Sequence, residues 1–317
     1  MFGAQETAFE HDARQRSQLY AAFPIFMQKD FEAPVNNAGY QVGVDYSYPA
    51  LLREMISAAI VTYSLRNKSI DHVRKTYLKD IRYEADPGSE SRLDRGYKRA
   101  CFSRLSRIQE AITSYPPMLN REPTVGEWIG DLTLIRVDYS FRRAFAEADK
   151  GALFEAVAIA RMILEQLAWV YVIRRVDDAK QIQKTQTTKC LGTAAAKFRT
   201  IGRLYGWMSD HVHWGYNAHV KVITAKDGFS GAWLATPDFK ATAYAMLIAL
   251  TAIVFELVIT LLGDYPELVE NNVLKQWLGE SDDFSPVSMV ERIYDLSDES
   301  EDIKTILEIV KVATNDG

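Results

Sequence analysis

Cysteine is nearly absent from this chain. Cys101 and Cys190 are the only two in 317 residues, and neither has a CxxC neighbour. That excludes a disulfide framework and a cysteine-based zinc finger, and it fits a reducing, cytoplasmic setting. Proline and glycine are sparse as well, at 10 and 17 residues, which disfavours a turn-rich β architecture. There is no P-loop, no GxGxxG after a strand, no GxSxG elbow and no kinase signature set, so the usual NTPase, Rossmann and α/β-hydrolase sites are excluded. HExxH is missing, and so is the Glu-x-x-His pair of di-iron bundles. Met1 to Arg16 mixes acids and bases with no apolar run, unlike a secretory signal.

What is present is helical periodicity. Ala50 to Leu65 carries apolar residues at helical spacing, Ser69 opens a second helix over 70–84, and a third is expected over 91–114. Asn120 to Gly130, with Pro123, Gly126 and Gly130, reads as a linker. Beyond it lie helices over 132–149 and 152–176, then one over 190–214 broken near Gly202 or Gly206. Between Leu153 and Ile173 only Glu155, Arg161, Glu165 and Gln166 are strongly polar, which places that helix inside a bundle. His219 to Thr224 and Phe229 to Ala235 flank Lys226-Asp227-Gly228, predicting a β-hairpin over 219–235. Ala241 to Leu262 is long and apolar enough to span a bilayer. Glu256 within it would be costly in lipid, so a buried core helix is the expectation, with no membrane partner. The fold class is therefore all-α, a helical bundle with one small hairpin. Its parts are an extended lead-in (1–44, with a short helix near 12–23), an N-terminal helical region (45–120), the bundle (131–263) and an acidic helical tail (264–317).

Net charge is −5, unevenly spread. From Asp264 onward there are 14 acids and 4 bases, and that tail is a candidate surface for a protein partner. Arg66 to Arg107 holds 12 bases and 6 acids with Tyr77, Tyr83, Tyr97 and Phe102 interleaved. The run reads either as the solvated face of amphipathic helices or as a contact for nucleic acid.

Chemistry concentrates in Ser209 to His219. His211, His213 and His219 are three of the five histidines in the chain. His211 and His213 are two residues apart and on a helix point about 200° from each other, so a shared metal is disfavoured. Ser209 and His213, at i and i+4, share a face, with Asp210 beside it. This suits acid–base chemistry, and equally suits a histidine capping a helix C-terminus. Arg161 and Glu165 form a second i, i+4 pair in the apolar helix. They are either an internal ion pair that sets register, or a phosphate-binding arginine with its orienting acid reaching toward Ser209 and His213, with Glu256 as a further candidate.

The run Ala160-Arg161-Met162-Ile163-Leu164-Glu165, followed by Tyr205 and by Met208-Ser209-Asp210-His211-Val212-His213, resembles a bacterial domain family of the HEPN-like helical bundles. Its pattern is an R-x-x-x-E helix followed by a Y-x-x-L-S-x-x-V-H helix, with Met208 here in place of the leucine, over residues 137–262. The resemblance implies an all-helical bundle, often a homodimer, of the kind found in toxin–antitoxin and phage-defence proteins, several of which cleave RNA without a metal or cofactor. Arg161, Glu165, Ser209 and His213 match that pattern, and with His211 from the histidine cluster they are the expected site, acting on RNA or a nucleotide. The catalytic HEPN signature, an arginine followed after four to six residues by histidine, is not matched: Arg203 precedes His211 by seven intervening residues, and Leu204 follows it.

Overall fold

The structure, a computed structural model, describes residues 18–19, 22–23, 50–64, 66, 69–79, 93–213, 216–226, 229–232, 235–270, 272–279, 284–297 and 300–315. The lead-in, apart from residues 18, 19, 22 and 23, lies outside them. Most of the described residues are helical. In chain order these are α1 (Ala50–Ser64), α2 (Ile70–Thr76), α3 (Leu93–Ser114), α4 (Val125–Asp149), α5 (Leu153–Ile173), α6 (Ala179–Lys184), α7 (Thr187–Lys197), α8 (Arg199–Val212) and α9 (Tyr216–Val222). After them come α10 (Pro237–Gly263), α11 (Pro266–Glu270), α12 (Val273–Leu278), α13 (Pro286–Leu296) and α14 (Glu301–Asn315).

Two strong caps begin helices where the sequence supplies them. The Ser69 hydroxyl accepts from the His72 amide at 3.2 Å and starts α2. Thr124 and Glu127 form a reciprocal capping box at the head of α4: Thr124 Oγ1 accepts from the Glu127 amide at 3.1 Å, and Glu127 Oε2 accepts from the Thr124 amide at 2.7 Å. The expected linker at 120–130 is therefore mostly helix. Its glycines serve packing. The Gly126 amide donates to the Val176 carbonyl at 3.0 Å, and a Cβ at Gly126 would sit 2.0 Å from the Ile173 carbonyl oxygen and 2.4 Å from that of Val176. Only a residue without a side chain lets the two helices approach this closely.

α5 packs on α4, α7, α8 and α10, and α10 in turn packs on α3, α13 and α14. One contiguous core runs from Leu19 to Val310. The acidic tail is thus part of the bundle, with Val290, Ile293, Ile303 and Ile306 fully buried. The expected break at Gly202 or Gly206 falls instead at Phe198, which is extended (φ −117°, ψ 93°) between α7 and α8. Its buried ring meets Tyr171 edge-on at 5.3 Å. Burying that ring outweighs the roughly 1 kcal/mol by which a glycine weakens a helix. The hairpin expected over 219–235 is not supported as drawn. His219 to Val222 is helical, and among the described residues antiparallel pairing joins only Ile223–Lys226 with Phe229–Ala232. That short pair forms no layer of the core, and the class is all-α.

α5 and α10 are each long and apolar enough to cross a membrane, with 50% and 72% of their apolar windows buried within the protein. Helix α10 carries buried polar groups that are paired. Lys240 Nζ lies 2.8 Å from Asp94 Oδ2, and both side chains are 2% exposed. A second network closes the far end of α5. Arg174 pairs with Asp131 and donates from Nη2 to the Tyr115 hydroxyl at 2.7 Å, and that hydroxyl donates to Asp131 at 2.6 Å. Beside it Glu127 accepts from both Nη atoms of Arg121 and from Tyr265. Burial opposes the Glu127 charge, but these bonds and the Thr124 amide hold its pKa down at about 2.

The Gly126 contact yields a direct test. Gly126→Ala should lower unfolding free energy by about 3 kcal/mol, the upper part of the range for overpacking, because backbone must move. Gly96→Ala on α3, where an added Cβ meets nothing within 4 Å, should leave stability unchanged or raise it by about 0.5–1 kcal/mol. Urea denaturation of both variants checks the contrast.

Candidate functional site

α8 exposes different chemistry on three sides. Ile201, Leu204 and Met208 are buried in the core. One flank, Tyr205 to His213, faces α5. The other, Trp207 and His211, faces α14, and the ridge between them is exposed. The 200° separation of His211 and His213 on a helix places them in two distinct clusters.

On the α5 side, Arg161 is held at three points. Its Nε donates to Glu165 Oε1 at 3.2 Å, Nη2 donates to the Tyr205 hydroxyl at 2.6 Å, and Nη1 lies 3.1 Å from His213 Nε2. The Tyr205 hydroxyl in turn donates to Glu165 Oε1 at 3.2 Å, closing a triangle. The guanidinium also lies 4.8 Å from the centroid of the Tyr205 ring. A guanidinium only donates, so His213 Nε2 is the acceptor and neutral His213 carries its proton on Nδ1. His213 also ends α8, its amide donating to the Ser209 carbonyl at 3.0 Å. The cluster is accessible. His213 is exposed, and the Arg161 and Glu165 side chains are 19% and 29% exposed. More deeply buried ion pairs lie elsewhere, at Arg174–Asp131 and Lys240–Asp94. Three of the five guanidinium N–H groups are engaged, and two are left to meet an oxyanion.

Ser209 is not drawn into this cluster. Its hydroxyl donates to the Tyr205 carbonyl one turn back, at 2.8 Å, a common choice for serine within a helix. The hydroxyl that orients Arg161 is that of Tyr205. Its position at i−8 from His213 carried no spacing signal beyond the resemblance. Glu256 is half-buried on α10 and makes none of the bonds to Arg161. The side chain of His219 lies outside what the structure describes.

His211 belongs to the second cluster. Its Nδ1 lies 2.9 Å from the Trp207 carbonyl oxygen, so Nδ1 is the donor. In the neutral ring Nε2 is then left to accept from Lys221 Nζ at 3.1 Å; in the protonated ring the same atom faces Asp302 Oδ1 at 3.5 Å. Lys221 also reaches both oxygens of Asp302, at 2.9 and 2.7 Å, and the Trp207 indole donates to Asp302 Oδ1 at 3.1 Å. This cluster joins α14 to α8. His211 is only 3% exposed, and that burial, on the side of α8 away from Arg161, removes it from the candidate site. Among the described residues no group of three or more His, Cys, Asp or Glu side chains is placed to hold a metal ion.

Comparison with protein-family models, curated proteins and solved structures finds no match to this chain.

Part of the basic run Arg66 to Arg107 is committed within the protein. Arg74 pairs with Glu54, Lys98 with Asp149, and Arg104 and Arg107 donate to the Gly279 carbonyl. Tyr97 and Phe102 pack against the core, and Tyr83 lies outside the described residues. Sequence separation hid these partners, which are up to 175 positions away.

Asp302 gives a pH test. Burial opposes its charge, yet the contacts with His211 and Lys221 outweigh that and hold its pKa well below the usual carboxylate range. A depressed folded-state pKa stabilises above the unfolded value of about 3.9 and loses that contribution as pH falls further. Asp302→Asn should therefore cost about 1–3 kcal/mol at pH 7, and the difference from the unmodified protein should shrink below about pH 3. Urea titrations at both pH values check this.

Proposed function

We propose that this chain is a HEPN-like helical protein that binds RNA or a nucleotide at the Arg161–His213 cluster and acts on it without a metal or cofactor. The observation that carries the reading is the convergence, from two helices, of an arginine fixed on three sides and an exposed histidine whose Nε2 lies 3.1 Å from it. Arg161 binds the phosphate through its two remaining N–H groups. His213 is the proton-transfer group, released from Arg161 Nη1 when a phosphate oxygen takes that donor. Glu165 and Tyr205 hold the guanidinium plane, the role first sought in Ser209. In this reading the protein is cytoplasmic and works in a defence or toxin–antitoxin setting.

A second reading, an interaction or scaffold protein, has its own support. Trp128, Leu132, Ile135 and Tyr139 are all exposed, with Trp128 at 61% and Tyr139 at 65%. Their spacing of 4, 3 and 4 residues lays them in one stripe along α4, suited to self-association about a two-fold axis as a homodimer. The outward acids of α13 and α14 would serve a basic protein partner.

The two readings separate on one set of variants. If the cluster acts on phosphate, Arg161→Ala and His213→Ala each abolish RNA cleavage or nucleotide binding while costing under about 1 kcal/mol of stability, as for partly exposed pairs. Tyr205→Phe weakens the same readout by about tenfold, the loss of one hydrogen bond. If both alanine variants leave cleavage, toxicity and nucleotide binding unchanged, the reading is abandoned. Loss of a dimer in Leu132→Lys, measured by light scattering, with those activities absent from the unmodified protein, identifies the scaffold.

A further inference from the structure

In a chain of net charge −5, Ala179 to His213 holds six bases and a single acid, Asp210. The bases are Lys180 and Lys184 on α6, Lys189 and Lys197 on α7, and Arg199 and Arg203 on α8. All six are exposed, and none has an ion pair among the described residues. Some bases elsewhere face a carboxylate, as Arg74, Lys98, Arg142, Arg175 and Lys311 do. Others, such as Lys75, Arg99, Arg136 and Lys275, are exposed with no ion pair among the described residues. What sets this segment apart is six such bases against one acid. The exposed ridge of α8 reads Arg199, Gly202, Arg203, Gly206, Asp210, His213. Its two glycines leave bare backbone, Gly202 between the arginines and Gly206 just past Arg203, and a Cβ at Gly206 would meet nothing within 4 Å. From Arg199 to His213 the ridge spans about 21 Å at 1.5 Å per residue, the reach of several nucleotides and far more than one. Tyr216, three residues past His213, is 83% exposed and offers a ring face for a base.

We infer that the outer faces of α7 and α8, which pack on each other, form a binding surface for the phosphate backbone of a single-stranded RNA, which they lead to Arg161 and His213. The inference rests on the proposed function for the chemistry at its end, but the surface itself stands on unpaired charge. An anionic membrane is the other partner a basic face can take. Such binding also needs apolar side chains to insert. Among the described residues of α6, α7 and α8 no large apolar side chain is exposed, and the exposed Tyr216, Val220 and Ile223 lie past the end of α8 rather than among the bases.

The test compares the unmodified protein with a variant carrying Lys189→Gln, Lys197→Gln, Arg199→Gln and Arg203→Gln. None of these residues has an ion pair to lose among the described residues. The probes are a mixed-sequence single-stranded RNA of roughly 24 nucleotides, long enough to cover several phosphate contacts, a dinucleotide, and vesicles of phosphatidylserine and phosphatidylcholine. For the long RNA, the slope of log affinity against log salt should fall by about 3 in the variant, at about 0.7 per lost phosphate contact. Dinucleotide binding should not change. Equal slopes for the two proteins overturn the surface, and if Arg161→Ala still abolishes binding, the site reading survives alone. Slopes that differ as expected, with cleavage and dinucleotide binding indifferent to Arg161→Ala and His213→Ala, uphold the surface and sink the site. Vesicle binding that the variant loses, without RNA binding by either protein, overturns the inference in favour of a membrane.

Discussion

A helix with apolar side chains on nearly every face has to be enclosed, and α5 is enclosed by α4, α7, α8 and α10. Ten of its residues from Leu153 to Ile173 are buried. That requirement determines where polar groups on α5 can lie. Arg161 and Glu165 are half-buried at the seam with α8, where Tyr205 and His213 meet them. Arg174, just past the other end, is buried and closes its own network with Asp131 and Tyr115. One arginine is sealed inside the protein and the other opens to solvent, although they lie on successive stretches of the same chain.

The two arginines illustrate how burial divides structural from chemical roles. Arg174 is surrounded by partners at distances fixed by packing, and stranding a buried charge is costly. Arg161 keeps donors in reserve beside an exposed imidazole, and its side chain is only partly buried. The Tyr205 ring beneath it and the carboxylate beside it fix the guanidinium plane without closing it off.

Much of this was legible in the sequence. Helical periodicity located α1, α3, α5 and α10 to within a few residues, because each commits a long apolar face to the core. The i, i+4 pairing of Arg161 with Glu165 was readable too, as was the divergence of His211 and His213. What could not be read depended on contacts between distant segments. Gly126 resembled a linker glycine until the Ile173 and Val176 carbonyls were seen against it. Thr124 and Glu127 did carry a readable capping box, which the prolines and glycines around it obscured. Asp302 lies 91 residues from His211, and no local pattern joins them. The basic stretch Arg66 to Arg107 stands out by its composition, whereas the bases from Lys180 to Arg203, nearly as dense and free of acids, gain meaning only once their exposure on the helices is seen.

His211 and His213 stand on opposite sides of one helix end, separated by Val212 alone. Asp302 secures one side through His211, Trp207 and Lys221, and Arg161 meets the other through His213. A rigid helix cannot turn one side without turning the other. The last turn of α8 therefore acts as a short lever: the docking of a C-terminal helix sets the angle at which a histidine on the far side meets its arginine. Cutting the chain ahead of Asp302 would remove the lever's anchor rather than merely trim an acidic end.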